Sequence, residues 1–343
     1  MKLLLPFVLS LAFVAFASAE DPWITYEGKD GPGKGKRVVL LAGDEEYRSE
    51  EALPMLAKLL SQRHGFTATV LFAINKTTGE IDPNTSDNLP GAEALDKADL
   101  VITSLRYRHW PDGQMRHFAD YVKAGKPLIG LRTSTHAFNG IKGEFAPFNA
   151  FGKNVYGEGW VNHWGGHKRE ATRGVIESDA KDDVLLRGVS DLFGDTDVYE
   201  AYPSADSKIL VRGIVLKGMK PDDEPADYKK KRATDKEEQG INDPAMPVVW
   251  TRVNDNDFGK GNQVLCTTLG SATDLQNEGL RRLVVNAAYS FTGLEVPAKA
   301  NVEYVDPYKP LFYGFNGFRK GLKVSDQVLG KTLPELPLAT EKK

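Results

Sequence analysis

The sequence predicts an α/β protein built on a doubly wound, mainly parallel sheet. Three observations predict it. Continuous apolar runs of strand length, "RVVLLAG" from Arg37 and "PLIGL" from Pro127, read as strands covered on both faces. Segments with apolar residues at helical spacing lie between such runs. The two kinds alternate through the first half of the chain, which is the pattern of parallel strands joined by helical crossovers.

Each element follows in order. "RVVLLAG" is the first strand, and "SEEALPMLAKLLSQRHG" a helix that stops at Gly65, with Pro54 expected in its first turn, where proline is tolerated. "FTATVLFA" is the second strand and "ADLVITSL" the third. "PDGQMRHFADYVKAG" is a helix with Pro111 at its start and Gly125 at its end. "PLIGL" is the fourth strand. Residues 137–168, rich in Gly, Asn and aromatics, read as loop. "REATRGVIES" and "ILVRGIVL" read as strands with "DVYEAYP" between them, and residues 217–246 as a charged, solvated insertion. "MPVVWTRVN" and "NQVLCTTLG" form a strand pair around "DNDFGKG", and "NEGLRRLVVNAAYSFTGL" is a closing amphipathic helix. From Pro297 onward the chain has no clear period and is expected to drape over the domain, with a disordered end.

The chain has 343 residues and opens "MKLLLPFVLSLAFVAFASAE". Lys2, an apolar run to Phe16 and Ala17-Ser18-Ala19 fit a secretory signal peptide over residues 1–19, so the mature protein is expected outside the cytoplasm, periplasmic or secreted. The apolar run is short for a membrane span. Removing Lys2 takes the formal charge from −3 to −4, nearly balanced, which argues against a nucleic-acid partner. The single Cys, Cys266, lies in an apolar strand and reads as a buried structural thiol. The organisation is then a leader at 1–19, a lead-in at 20–35, an α/β domain at 36–297 and a C-terminal extension at 298–343.

Ligands in open parallel sheets bind at the carboxyl ends of the strands. Those ends deliver Asp44, Tyr107, and the run Arg132, Thr133, Ser134, Thr135, His136. The long loop adds Glu158, Trp160, His163, Trp164 and His167. No Gly-x-Ser-x-Gly motif marks a nucleophile, and Thr133 or Ser134 would need a base in reach. A non-covalent polar site fits better. His136 and His167 with Glu200 are the acid–base candidates and Arg132 the group to hold an oxyanion. Asp44, Tyr107, Thr133, Ser134, Glu158, Trp160, His163 and Trp164 are substrate-binding candidates, with Trp160, Trp164 and Tyr107 suited to the apolar face of a sugar. No cofactor is firmly implied. His163 and His167 have H-x3-H spacing and are weak candidates for a divalent metal, because Gly165 and Gly166 between them oppose a helix.

The segments "VVLLAGDEEY", "PLIGLRTSTHAF", "HWGGHKRE", "DVYEAY", and "PVVWTR" followed by "VLCTTLGSATD" and "LRRLVVNAAYSFTGLEVP" resemble the ThuA-like (trehalose utilisation) family over residues 36–297. The likeness is to its secreted, stand-alone bacterial members. The resemblance implies a flavodoxin-like, class I glutamine amidotransferase-like fold, a link to sugar metabolism and a small-molecule carbohydrate as partner. The chain departs from the pattern at Arg132 and Ser271, where many members carry His. Amidotransferases carry a nucleophilic Cys at the strand end that here carries Arg132, so their chemistry is not expected. The function expected is an exported enzyme acting on a sugar, keto-sugar or glycoside by acid–base chemistry, as hydrolase, lyase or isomerase. The alternative is a non-catalytic carbohydrate-binding protein of the same fold.

Overall fold

The computed structural model describes residues 21–339. The leader read at residues 1–19 lies outside the described residues. The strands are β1 (Trp23–Tyr26), β2 (Arg37–Gly43), β3 (Thr67–Phe72), β4 (Leu100–Leu105), β5 (Leu128–Leu131), β6 (Asn162–His163), β7 (Thr172–Ile176), β8 (Phe193–Gly194), β9 (Tyr199–Glu200), β10 (Lys208–Val215), β11 (Lys229–Lys231), β12 (Glu238–Gly240), β13 (Met246–Asn256) and β14 (Gly259–Thr267). The α-helices are α1 (Ser49–His64), α2 (Asp112–Lys123) and α3 (Glu278–Phe291).

Ten strands form one sheet in the order β1-β3-β2-β4-β5-β14-β13-β10-β7-β8. The pairings β3-β2, β2-β4, β4-β5 and β5-β14 are parallel. Those of β1 with β3 and along β14-β13-β10-β7-β8 are antiparallel. The sheet is therefore mixed, a correction to the mainly parallel expectation. The pattern of burial explains the difference: β2 is buried at six successive positions, whereas β10 alternates along much of its length, as suits a strand with one face less covered.

The core lies in two layers, one on each face. Along β2, Val38 and Leu40 join the layer made with Leu53, Leu56 and Leu60 of α1 and Leu280, Leu283 and Val284 of α3. Val39 and Leu41 join the opposite layer, with Met115 and Phe118 of α2 and the aromatics Phe138, Phe148 and Phe151. Successive residues thus face opposite layers, as the strand period of two requires. The segment read as loop after His136 contains two short helical turns, Gly143–Ala150 and Gly152–Tyr156, stabilised by that aromatic packing. Its apolar period was too short to signal helix. No helix among the described residues is long and apolar enough to cross a membrane.

Pro54 lies in the second turn of α1, not the first. Its missing N–H leaves the carbonyl of Glu50 without its helical donor. The C-terminal segment supplies one: the Gln327 side-chain amide donates to the Glu50 carbonyl at 3.0 Å. Lys58 pairs with Asp306 at 2.6 Å, Tyr26 donates to the Gln327 carbonyl at 2.6 Å, and Arg319 pairs with Glu51. The extension therefore drapes over α1 as expected, held by specific partners.

Cys266 is fully buried on β14, and burial pushes its thiol well above the usual range. The folded protein should leave Cys266 unlabelled by a thiol reagent, and Cys266→Ala should keep its fold and activity. Rapid labelling under native conditions would contradict this placement.

Candidate active site

The site is built at the carboxyl ends of β2, β5 and β14. At the end of β5 the chain turns sharply, and Arg132 takes a left-handed backbone (φ 44°) that L-residues with long side chains rarely adopt. The turn is held by the Arg132 N–H on the Leu269 carbonyl at 3.1 Å. Gly270 permits this approach: a Cβ there would come within 2.8 Å of the Leu131 Cβ. The strained position that carries a nucleophile in related turns is thus given to a cation.

Arg132 is wholly buried and points inward. Its guanidinium donates to the Asp197 carboxylate (2.9 Å), the Asp197 carbonyl (2.7 Å), the Thr268 carbonyl (2.6 Å) and the Tyr47 hydroxyl (3.2 Å). It also packs against the Tyr199 ring, 3.7 Å from the centroid. The oxyanion role expected of Arg132 is corrected accordingly, since both terminal nitrogens are committed, Nε is enclosed without a partner among the described residues and no solvent reaches the group. What it does is fix Asp197.

Asp197 organises two histidines. One carboxylate oxygen meets His163 Nδ1 at 2.8 Å and the other meets His167 Nδ1 at 3.1 Å. Despite burial, the Arg132 charge and the histidine contacts hold the Asp197 carboxyl well below the usual carboxylate range. His167 is held on both nitrogens, because Nε2 lies 3.1 Å from Glu46. Hydrogen bonds donated to Asp197 and Glu46 raise its pKa to about 9, so it is an imidazolium at neutral pH. His163 differs: its Nε2 has no hydrogen-bond partner among the described residues. An aspartate on Nδ1 fixes the tautomer that leaves Nε2 as a base.

Around this centre the rings converge. Trp160 lies 5.0 Å from His163, 5.0 Å from His136 and 4.6 Å from Tyr199, centroid to centroid. Tyr107 lies 5.1 Å from His136 on the other side. His163 and His167 are 4.6 Å apart. Trp160 thus links two neighbouring pockets, one lined by His136 and Tyr107 and the other by His163 and His167, so the single pocket expected of the three histidines divides in two. Burial, with Arg106 and Arg132 nearby, pushes the His136 pKa well down, so His136 is a neutral ring in an aromatic box. Tyr313, from the C-terminal extension, closes the far side, 5.6 Å from His167 and 5.1 Å from Tyr47.

Several expected site residues stand elsewhere. Asp44 is buried and accepts the N–H groups of Glu46 (2.7 Å) and Tyr47 (2.9 Å) and the Thr133 hydroxyl, so Asp44 and Thr133 brace the turn that presents Glu46. Ser134 donates to the Thr103 carbonyl at 2.9 Å, and its hydroxyl is enclosed. Glu158 accepts from the N–H groups of Gly159 (2.9 Å) and Tyr202 and from Lys153 (3.2 Å). Trp164 is fully buried with its indole N–H on the Ile241 carbonyl at 2.7 Å, so it is core and not a sugar platform. Glu200 accepts the Ala233 N–H at 2.9 Å and the Tyr202 hydroxyl at 2.9 Å, and so orders the neighbouring loop.

The residues missed are Asp197, Tyr199 and Tyr313, whereas Glu46 and Tyr47 lie on the strand-end loop after β2 that the strand-end rule picks out, without a role assigned there. A signal for Asp197 was present. In "DVYEAY", Asp197 and Tyr199 share parity, and Glu200 has the opposite one. In extended chain those sets face opposite ways. Tyr199 pairs across β6-β9 with His163, which puts its parity toward the site. Tyr313 had no local signal.

His163, His167 and Asp197 offer ligand atoms all within 4.8 Å of one another, and these residues could hold a divalent cation. The cluster is already charge-balanced, with Arg132 and His167 cationic and Asp197 and Glu46 anionic, so a cation would have to displace the His167 proton.

Fold and site together define an α/β protein with a buried Asp–Arg pair that orients a histidine in an aromatic cleft. No family model and no curated protein matches the sequence. Solved structures similar to this chain include a protein described as ThuA-like from Parabacteroides merdae, at 15% identity and a TM-score of 0.48, covering 77% of this chain and 92% of that one. A second, also described as ThuA-like, is from Bacteroides uniformis, at 14% identity and a TM-score of 0.45, covering 78% and 95%.

Proposed function

We propose that this chain is an exported carbohydrate-active enzyme that moves a proton on a sugar, keto-sugar or glycoside, as a lyase, isomerase or hydrolase. One observation carries the reading: Asp197 holds His163 through Nδ1, and the other ring nitrogen stands open beside Trp160. Export rests on the leader pattern alone, and the sugar class on the ThuA-like resemblance and the aromatic cleft. We read the parallel strands, in the order β3-β2-β4-β5-β14, as a flavodoxin-like half whose carboxyl ends form the cleft.

In this reading a sugar ring lies against Trp160 and Tyr107. His163 Nε2 takes the proton from a carbon next to a keto group; the C–H bond breaks, an N–H bond forms, and the electron pair passes to the carbonyl oxygen as an enolate. Asp197 stabilises the imidazolium so formed. The fixed positive charge of His167 lies 4.6 Å away, ring to ring, and favours the enolate. The proton then returns to the former carbonyl carbon while the adjacent hydroxyl proton passes to the enolate oxygen, which shifts the keto group and isomerises the sugar. Alternatively the enolate re-forms its C=O, a C=C forms to the next carbon, and the C–O bond there breaks with the proton going to the departing oxygen, water adding to that C=C where the outcome is hydrolysis.

A second reading, a cation held by His163, His167 and Asp197, is favoured by the clustering of their ligand atoms. One experiment separates the two. The purified protein is incubated with a panel of glycosides and 3-keto-glycosides, with and without chelator, and products are read by mass spectrometry. The acid–base reading expects turnover of a keto-sugar that survives chelation. Turnover abolished by chelator and restored by a divalent metal supports the second reading. No turnover of any sugar favours the binding protein.

A further inference from the structure

Beyond the aromatic cleft, His163 and His167 also line a separate cavity of about 650 Å³. Its remaining walls are Gly165, Gly166, Arg169, Glu170, Lys217, Tyr228 and Lys230. Arg169, Lys217 and Lys230 make no ion pair among the described residues. Lys230 is pinned: its ammonium donates to the carbonyls of His163 and Trp164, at 2.8 Å each, which leaves one of its three protons for a ligand. The one acidic wall residue, Glu170, is occupied by the Gly166 N–H at 2.6 Å and the Tyr228 hydroxyl at 2.7 Å. The cavity wall thus carries three cationic side chains, Arg169 and Lys217 exposed and Lys230 half-buried, against one carboxylate whose Oε2 takes both of those hydrogen bonds, and the proposed base His163 lines the same cavity. Nothing in the proton-transfer scheme uses those cations.

We propose that this cavity binds the oxyanion substituent of an acidic saccharide, a carboxylate or a sulfate ester, and so directs the sugar carbon beside it toward His163. The inference rests on the carbohydrate reading and names its substrate class. Unpaired cations in a concave wall focus field on an anion more strongly than the same charges spread over an open surface.

Calorimetric titration with methyl glucuronide, glucose 6-sulfate and neutral methyl glucoside tests the proposal without requiring turnover. At least one anionic probe should bind roughly tenfold more tightly than the neutral one, on the scale of two or three partly solvated charge contacts. Preference for one anion over the other tells carboxylate from sulfate. The advantage should shrink in about 0.5 M salt. In the double variant Arg169→Ala, Lys217→Ala it should fall below about threefold, on the same scale, with methyl glucoside affinity unchanged. Equal affinity for the three probes, binding of none of them, or an anion preference that survives in the double variant overturns the proposal. His163→Gln should keep the preference while losing turnover, so failure of the proton-transfer reading is seen separately.

Discussion

His163→Gln should lower turnover of a keto-sugar substrate by about 100-fold or more, the scale of a lost general base. The reason is geometric. His163 is the histidine of the cluster that combines a buried carboxylate on Nδ1 with an unoccupied Nε2. His167 is tied on both nitrogens, and His136 is pushed far toward its neutral form in an aromatic box. Glutamine keeps a polar group of similar reach and removes the imidazole. Because His163 is partly exposed, unfolding should move by no more than about 1 kcal/mol. Glu200→Gln, at the carboxylate that orders the loop at Ala233, should leave kcat within about threefold, well short of a lost acid–base group. Measured kcat values for the two variants check both statements. A large loss in Glu200→Gln with His163→Gln active would reverse the assignment.

Arg132→Met should cost about 3–5 kcal/mol of stability in urea unfolding, the scale for removing one partner of a buried ion pair. Arg132 and Asp197 both have fully buried side chains. Methionine would strand the Asp197 carboxylate with the histidines alone. It would also free the carbonyls of Asp197 and Thr268 that the guanidinium now satisfies. The double variant Arg132→Met, Asp197→Asn should be less destabilised than Arg132→Met alone, because no buried charge is left unpaired. A loss below about 1 kcal/mol in Arg132→Met would mean that the pair behaves as an exposed one.

The parallel half of the fold was legible because its strands are buried on both faces and its helices carry clear stops, such as Gly65 after α1. The antiparallel extension through β13, β10, β7 and β8 was legible as strands but not as one sheet, since pairing is long-range and leaves no local mark. The loops that form the site were found from the strand-end rule, and His136, Trp160, His163 and His167 do come together there, in two pockets that Trp160 links. The roles were harder to read. Arg132, Thr133 and Ser134 sit at the strand end as expected, but face inward, because the left-handed turn at Arg132 directs its side chain under the site. Asp197 was passed over for Glu200 because two acids three residues apart look equivalent until strand parity is applied. Tyr313 comes from a segment more than a hundred residues away and was beyond any local pattern.

The central claim is that His163 moves a carbon-bound proton. The most direct measurement is deuterium wash-in from D2O at the carbon beside the keto group of a 3-keto-glucoside, followed by proton NMR. The account predicts wash-in with the native protein, unaffected by chelator and reduced to the uncatalysed rate in His163→Gln. Exchange that persists undiminished in His163→Gln would contradict it.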